Sequence, residues 1–205
     1  MKLPVQERSR ASLERVLVAV EELIVERGGD DFTMQDVAKR AKLAVGSIYS
    51  RFQNKNALMH IMQARVLERL DIDLRQRTAL VRAQARDLSS LVAGLVEALA
   101  ETLKTHANLM LPFMDMASAD PVIAENGKRY HAATADCIKS AMHLYGDEIP
   151  SAEVERVIGM AFTVLYSVIA RYLGYGSSQT GAREGDWEAL KTDLAKMLSV
   201  FLKTP

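Results

Sequence analysis

Apolar side chains recur at three- and four-residue intervals along most of the chain, the spacing of helices buried on one face, so an all-α fold is expected. Leu13, Val16, Leu17, Val20, Leu23 and Ile24 mark a first helix that Gly28 and Gly29 end, with residues 1 to about 8 before it as a loose arm. Thr33 can cap a second helix with its hydroxyl, and Asp36, three residues on, puts a carboxylate at that helix's positive end. Its apolar face, Val37, Ala38 and Ala41, is narrow and small enough for another helix to approach closely. After a turn at Lys42, Leu43 and Ala44, a further helix from Val45 to about Phe52 buries Ile48 and Phe52 beside Phe32. Asn54 caps a long helix that no Gly or Pro interrupts before Gly94, running through Leu58, Ile61, Met62, Leu67 and Leu70 toward about Leu80.

Asp87 to Ser90 offers a new cap, followed by a helix from Leu88 to about Thr105 with Leu91, Val92, Leu95, Leu99 and Leu103 inward. Pro112 is expected to weaken or kink any helix through Leu109 to Met116. Asp120 and Pro121 read as an N-cap with proline in the first helical position, opening a helix to about Tyr145. Gly146 to Pro150 makes a turn, and a cap at Ser151 to Val154 opens a helix that is apolar on nearly all sides, from Val157 and Ile158 to Ile169 and Tyr172. A Gly/Ser-rich loop from Gly174 to Gly185 precedes the closing helix of Trp187, Leu190, Leu194, Met197, Leu198 and Phe201.

Two short helices joined by a tight turn, the second carrying small, polar and aromatic groups outward, have the form that enters a major groove. Gly46 leaves room at the helix start for another surface to come near the backbone, and Lys55 in the first turn after Asn54 suits a phosphate better than it suits the helix end. The run T-M-x-D-V-A-x-x-A, then G-S-I-Y-x-x-F, then N-K-x-x-L resembles the DNA-binding signature of the tetracycline-repressor (TetR) family of bacterial regulators. With the preceding helix the resemblance covers about the first 60 residues. Leu43-Ala44 replaces the family's frequent Val-Ser, Asn56 an acidic residue, and Arg51 a His or Tyr, departures that bear on the operator sequence rather than the fold. The resemblance implies that Ala44, Val45, Gly46, Ser47, Tyr49, Ser50 and Arg51 face double-stranded DNA while Thr33 and Lys55 hold phosphates. It implies a helix-turn-helix domain over residues 1–55 and a helical ligand-binding and dimerisation domain over 56–205. The partner is then a palindromic operator with half-sites roughly 34–36 Å apart.

Composition sharpens this only a little. Of 205 residues, 49% are hydrophobic, enough for real cores, and 26 basic residues balance 26 acidic ones. Residues 1–65 carry a net +3 and the remainder −3, so a mildly basic end sits on a mildly acidic body. Lys2, Arg8 and Arg10 are available to phosphates. Cys137 is the only cysteine, no segment approaches 18 consecutive apolar residues, and the amino terminus has no signal-peptide core, so a cytoplasmic protein without a membrane span is expected. No motif asks for a cofactor, and His131 and Cys137 are six apart, the wrong spacing for a helical metal pair.

Met110, Met114 and Met116 around Phe113 form either the adaptable wall of a ligand pocket or plain core. Candidate lining residues are Met110, Phe113, Met114, Tyr130, Cys137, Met142, Tyr166 and Tyr172, with His106 or His131 to orient a lipophilic inducer. Two apolar C-terminal helices from each of two subunits can form a four-helix homodimer interface, as the resemblance also implies. The rival reading is an α-helical small-molecule-binding protein or enzyme that never touches DNA. No acid/base pair on a common helical face speaks for catalysis.

Overall fold

Helix α1, Val5–Arg27, begins before its apolar stripe does. The arm expected through residue 8 is therefore helical from Val5, while Lys2 lies outside the residues that the computed structural model describes, 5–175 and 182–205. Val16, Leu17, Val20, Leu23 and Ile24 are buried on the inner side of α1, and Gly28 leaves it with a positive φ of 67° that a side chain would resist. Helix α2, Met34–Ala41, starts at a reciprocal cap: Thr33 Oγ1 accepts from the Asp36 N–H at 3.1 Å, and the Asp36 carboxylate accepts the Thr33 N–H at 2.9 Å. Lys42 closes α2 in the left-handed conformation, and the Leu43 N–H turns back to the Ala38 carbonyl at 2.9 Å. Helix α3 spans only Val45–Tyr49, with Ser50 and Arg51 in a turn beyond it. Ile48 and Phe52 are buried as expected, alongside Phe32.

Helix α4, Lys55–Gln84, is 30 residues and so about 45 Å long, one turn more than its apolar positions called for. Ala85 breaks it, and Asp87 caps α5, Leu88–Met116, through a second reciprocal box with Ser90. Helix α5 does not stop near Thr105 as expected but continues through Pro112 to Met116. Leu109, Met110, Pro112 and Phe113 are all buried, and that tertiary burial outweighs the one hydrogen bond proline cannot make. Helix α6, Pro121–His143, opens on Asp120, whose carboxylate accepts from Val122 N at 3.0 Å and Ile123 N at 3.3 Å. After a 3-10 turn, Gly146–Glu148, come α7, Val154–Leu173, and α8, Trp187–Lys203. Glu153 occupies the cap of α7 without a side-chain bond to the helix, so the cap expected from Ser151 to Val154 reduces to Ser151 Oγ accepting the Glu153 N–H at 3.1 Å. Half of the Gly/Ser-rich loop, residues 176–181, lies outside the described residues.

No strand occurs among the described residues. Helix α5 is the hub, packing against α1, α4, α6, α7 and α8, and one continuous apolar core runs from Val16 to Leu202. Helices α2 and α3 hang from α1 at one end, joined to the body by α4 and by the contact of α1 with α5. By length and composition α7 could cross a membrane, but Val157, Ile158, Ala161, Phe162, Leu165 and Ile169 are buried in the helical body. Its Met160, with Met197, Val200 and Phe201 of α8, stays exposed.

Candidate nucleic-acid interface and the cavity behind it

Alternate burial along one short segment builds the outward edge. Ala44, Val45, Gly46 and Ser47 are exposed, Ile48 turns inward with none of its surface accessible, and Tyr49, Ser50 and Arg51 are exposed again. Tyr49 leaves 53% of its surface free, a large amphipathic ring with nothing of its own chain over it. A Cβ added at Gly46 would meet no atom within 4 Å, so the glycine leaves open space rather than relieving a clash. Ser50 Oγ donates to the Ser47 carbonyl at 3.1 Å. Ala44 precedes α3 with no side-chain cap, as its departure from Ser implies.

The two cations assigned to DNA are held by their own chain. The Arg51 guanidinium donates to the Ser9 carbonyl at 2.8 Å and to Ser9 Oγ at 2.7 Å, tying the end of α3 to the first turns of α1. The Lys55 ammonium donates to the Asp30 carbonyl, faces the Asp30 carboxylate at 3.0 Å and lies 4.7 Å from the centre of the Phe32 ring. Thr33's hydroxyl is likewise shared with Asp36, donating to its carboxylate at 2.9 Å. The Thr33 N–H and hydroxyl, with Arg27, hold the Asp36 carboxyl below the usual carboxylate range. Sequence reasoning passed over Lys39 and Lys42, exposed beside the turn into α3. Among the described residues neither they nor Arg10 meet a carboxylate, whereas Arg27, Arg40, Arg65 and Arg69 are all ion-paired.

Five of the ten residues assigned to a ligand meet at one place. Met110, Phe113 and Met114 of α5, His131 of α6 and Tyr166 of α7 line a cavity of about 420 Å³, within the usual size range of small-molecule sites. The His131 ring stands edge-on to Tyr166, with centroids 4.5 Å apart, and to Phe162 at 5.5 Å. Burial raises the Tyr166 hydroxyl above its ordinary pKa, so it remains a proton donor. The other five lie elsewhere. His106 faces Asp73 on α4 at 3.9 Å, with burial holding its ring below the ordinary histidine range despite that carboxylate. Tyr130 lies in a small hollow between α4 and α6, Cys137 in another beside Arg75 and Arg82, and Met142 is in the core. Tyr172 donates its hydroxyl to the Gly185 carbonyl at 3.2 Å and packs on Trp187.

Gln63, Ile123, Gly127 and Lys128, which no sequence pattern singled out, line the same cavity. Gln63 is a buried amide on α4 that donates to the Ile123 carbonyl at 2.9 Å and accepts from Asn126 Nδ2 at 3.0 Å, both on α6. One turn earlier His60 meets the Asp120 carboxylate at 2.7 Å, so two side chains of α4 hold the amino-terminal end of α6. Two larger hollows, of about 530 Å³ between α5 and α8 and about 560 Å³ between α1 and α4, are edged by charges that are paired, such as Lys191 with Glu97 and Glu188 and Arg69 with Glu21, apart from Lys196 in the first. No group of three or more His, Cys, Asp or Glu side chains among the described residues is placed to hold a metal.

Residues 16–61 match the model of the family described as bacterial regulatory proteins, tetR family. The curated protein sequences contain no relative that matches the chain. Solved structures similar over nearly the whole length include a putative TetR-family transcriptional regulator from Mesorhizobium loti, 16% identical, with TM-score 0.68 and 98% of each chain covered. Another is GusR of Salmonella enterica, 20% identical, TM-score 0.66, covering 94% of this chain and 96% of that one. A third is a transcriptional regulator from Cytophaga hutchinsonii, 18% identical, TM-score 0.65, covering 93% and 96%. At these identities the likeness is one of fold.

Proposed function

We propose, from the match of residues 16–61 to the tetR family of bacterial regulatory proteins, that the chain is a homodimeric DNA-binding transcription regulator, a repressor released from its operator by a small lipophilic molecule. The observation that carries this reading is the exposed edge from Ala44 to Arg51, anchored from behind by Ile48 and Phe52 and uncovered by the rest of the body. Ala44, Val45, Gly46, Ser47, Tyr49 and Ser50 enter the major groove, and Arg10, Lys39 and Lys42 supply charge to the phosphates. Arg51 and Lys55 act through their contacts with Ser9 and Asp30, fixing the angle of α3 and the start of α4 against the two ends of α1. Thr33, its hydroxyl engaged by Asp36, sets the start of α2 at the same edge.

Two copies pair through α7 and α8, whose exposed Met160, Met197, Val200 and Phe201 gain from mutual burial, and the two-fold axis spaces the heads for a palindrome. Release follows when the cavity ligand prefers a body in which the heads are misplaced; without that preference it shifts nothing. Gln63 is the point of leverage, since it touches the cavity and stands eight residues, about 12 Å, along α4 from the head.

The test is a gel shift on palindromic DNA flanking the protein's own gene. Binding by the wild type is expected, with a loss of tenfold or more in Tyr49→Ala. Absence of binding at low salt, with Tyr49→Ala no different, leaves the rival non-DNA-binding reading in possession. A monomer by light scattering at micromolar concentration would remove the association through α7 and α8.

A further inference from the structure

Resting on the reading above that this cavity takes a small lipophilic molecule, we infer that the molecule is an amphiphilic anion, its chain among Met110, Phe113, Met114 and Ile123 and its acidic head at Lys128. The charge balance of the wall carries this. Among the lining residues there is no carboxylate, and Lys128 is the one fixed charge. It stands exposed at the rim, and no carboxylate of the described residues lies within ion-pair distance of it. Other cations of the two helices differ: Arg75 and Arg77 of α4 each hold an aspartate of their own helix, and Arg129, next along α6, binds Asn126. A ligand closing over that rim strips water from the ammonium, and an anionic head restores a charge-assisted bond where an alcohol restores only a neutral one. A cationic head meets repulsion with no compensating acid. The Tyr166 O–H is a second donor on the same wall, with no acid among the lining residues to receive it.

Gly127 points the same way. In the interior of α6 a glycine costs about 1 kcal/mol against alanine, yet a Cβ there would touch nothing within 4 Å, so packing does not require it. What the missing side chain leaves is space in the cavity, one residue before Lys128.

Calorimetric titration of the full chain with dodecanoate, dodecanol and dodecylamine, each below its aggregation concentration, separates head from chain. Dodecanoate is expected to bind about tenfold tighter than dodecanol, with dodecylamine weakest. Lys128→Glu, at an exposed and unpaired position, should place dodecylamine ahead of dodecanoate and leave dodecanol unchanged. Gly127→Leu, folded by circular dichroism, should abolish all three. No binding of dodecanoate, equal affinity for the three heads, or an order unaltered in Lys128→Glu overturns the proposal. Operator release is read separately. If dodecanoate binds and DNA is never bound, the regulator reading fails and the ligand class stands; if dodecanol releases DNA and dodecanoate does not, the ligand class fails and the regulator reading stands.

Discussion

The contact of Arg51 with Ser9 makes the sharpest prediction about the reading head, because a cation at that position can act in two ways with different salt signatures. In the structure the guanidinium spans 42 residues of sequence to donate to both oxygens of Ser9. Such an exposed clip contributes about 0.2–1 kcal/mol to stability, so Arg51→Ala should lower Tm by no more than about 2–4 °C in a chain of this length. If the clip holds α3 at its reading angle, each of two heads loses up to about 1 kcal/mol of preorganisation. Operator affinity then falls by up to about thirtyfold. Ser9→Ala keeps the carbonyl bond and loses the hydroxyl one, so about fivefold is expected, and the double variant should be little worse than Arg51→Ala alone. None of these changes removes a phosphate contact, so the slope of log affinity against log salt should stay constant. Fluorescence anisotropy with labelled operator at a series of salt concentrations measures both quantities. The reasoning is refuted if Arg51→Ala flattens the slope by about two while Ser9→Ala leaves affinity untouched, for that is the signature of an arginine that leaves α1 to bind one phosphate per head.

Two glycines should answer alanine with opposite signs in urea unfolding. At Gly94 a Cβ would lie 2.5 Å from Val81 Cγ1, so the substitution costs about 1–3 kcal/mol, and on a Val81→Ala background that cost should vanish. At Gly127 nothing is displaced, and stability should rise by up to about 1 kcal/mol. Lys191, its side chain 6% exposed, faces Glu97 at 2.7 Å, Glu101 at 2.9 Å and Glu188 at 3.1 Å, and although burial opposes its charge those carboxylates hold its pKa above the usual range. Lys191→Met should lose about 2 kcal/mol by the same unfolding assay, less than the 3–5 typical of a fully buried pair, because Glu97 and Glu188 remain wet; a neutral result would show that the cluster is dispensable. The Asp120 carboxyl is held below its ordinary value, first by His60 and then by the N–H groups of Ile123 and Val122. Its contribution is therefore complete above the unfolded carboxyl value of about 3.9 and disappears as pH falls through the lower folded value. Asp120→Asn, which can still cap α6, should flatten the acid limb of stability against pH; an unchanged limb would mean that His60 and Asp120 do not matter to it.

What was legible in the sequence was what is local. Thr33 with Asp36, Asn54 with Ala57, and Asp120 with Val122 and Ile123 each close within three residues, so residue type and spacing suffice to place the starts of α2, α4 and α6. Pro112 shows what a local rule leaves open: its cost is fixed, while the burial of Leu109, Met110 and Phe113 around it, which carries α5 on past Thr105, depends on other helices. The pocket was half legible for a reason of phase. Ile123, Ala124, Gly127, Lys128 and His131 follow one stripe of α6, and Tyr130 and Cys137, seven apart, follow the next, so a list chosen by side-chain type mixes two faces that the helix separates. Knowing where α6 starts does not say which stripe meets α5 and α7.

The clips are the extreme of this illegibility, and they change how the head is read. Lys55 finds Asp30 across 25 residues and Arg51 finds Ser9 across 42, pairings of surface groups that no period announces. Cations in a DNA-binding motif look like phosphate ligands because charge is what a sequence displays. Here the geometry spends two of them near opposite ends of α1, which leaves the exposed edge proposed to face the groove nearly uncharged: Ala44, Val45, Gly46, Ser47, Tyr49 and Ser50. Under the proposed function, an edge of that kind discriminates by shape, methyl contacts and hydroxyl hydrogen bonds, and Arg10, Lys39 and Lys42 around it are the cations proposed to supply the salt-dependent attraction. Specificity and affinity are thereby assigned to different residues. Substitutions at Lys39 or Lys42 should weaken operator and random DNA alike and flatten the salt dependence, whereas Tyr49→Ala should cost operator affinity while random DNA and the slope stay as they were.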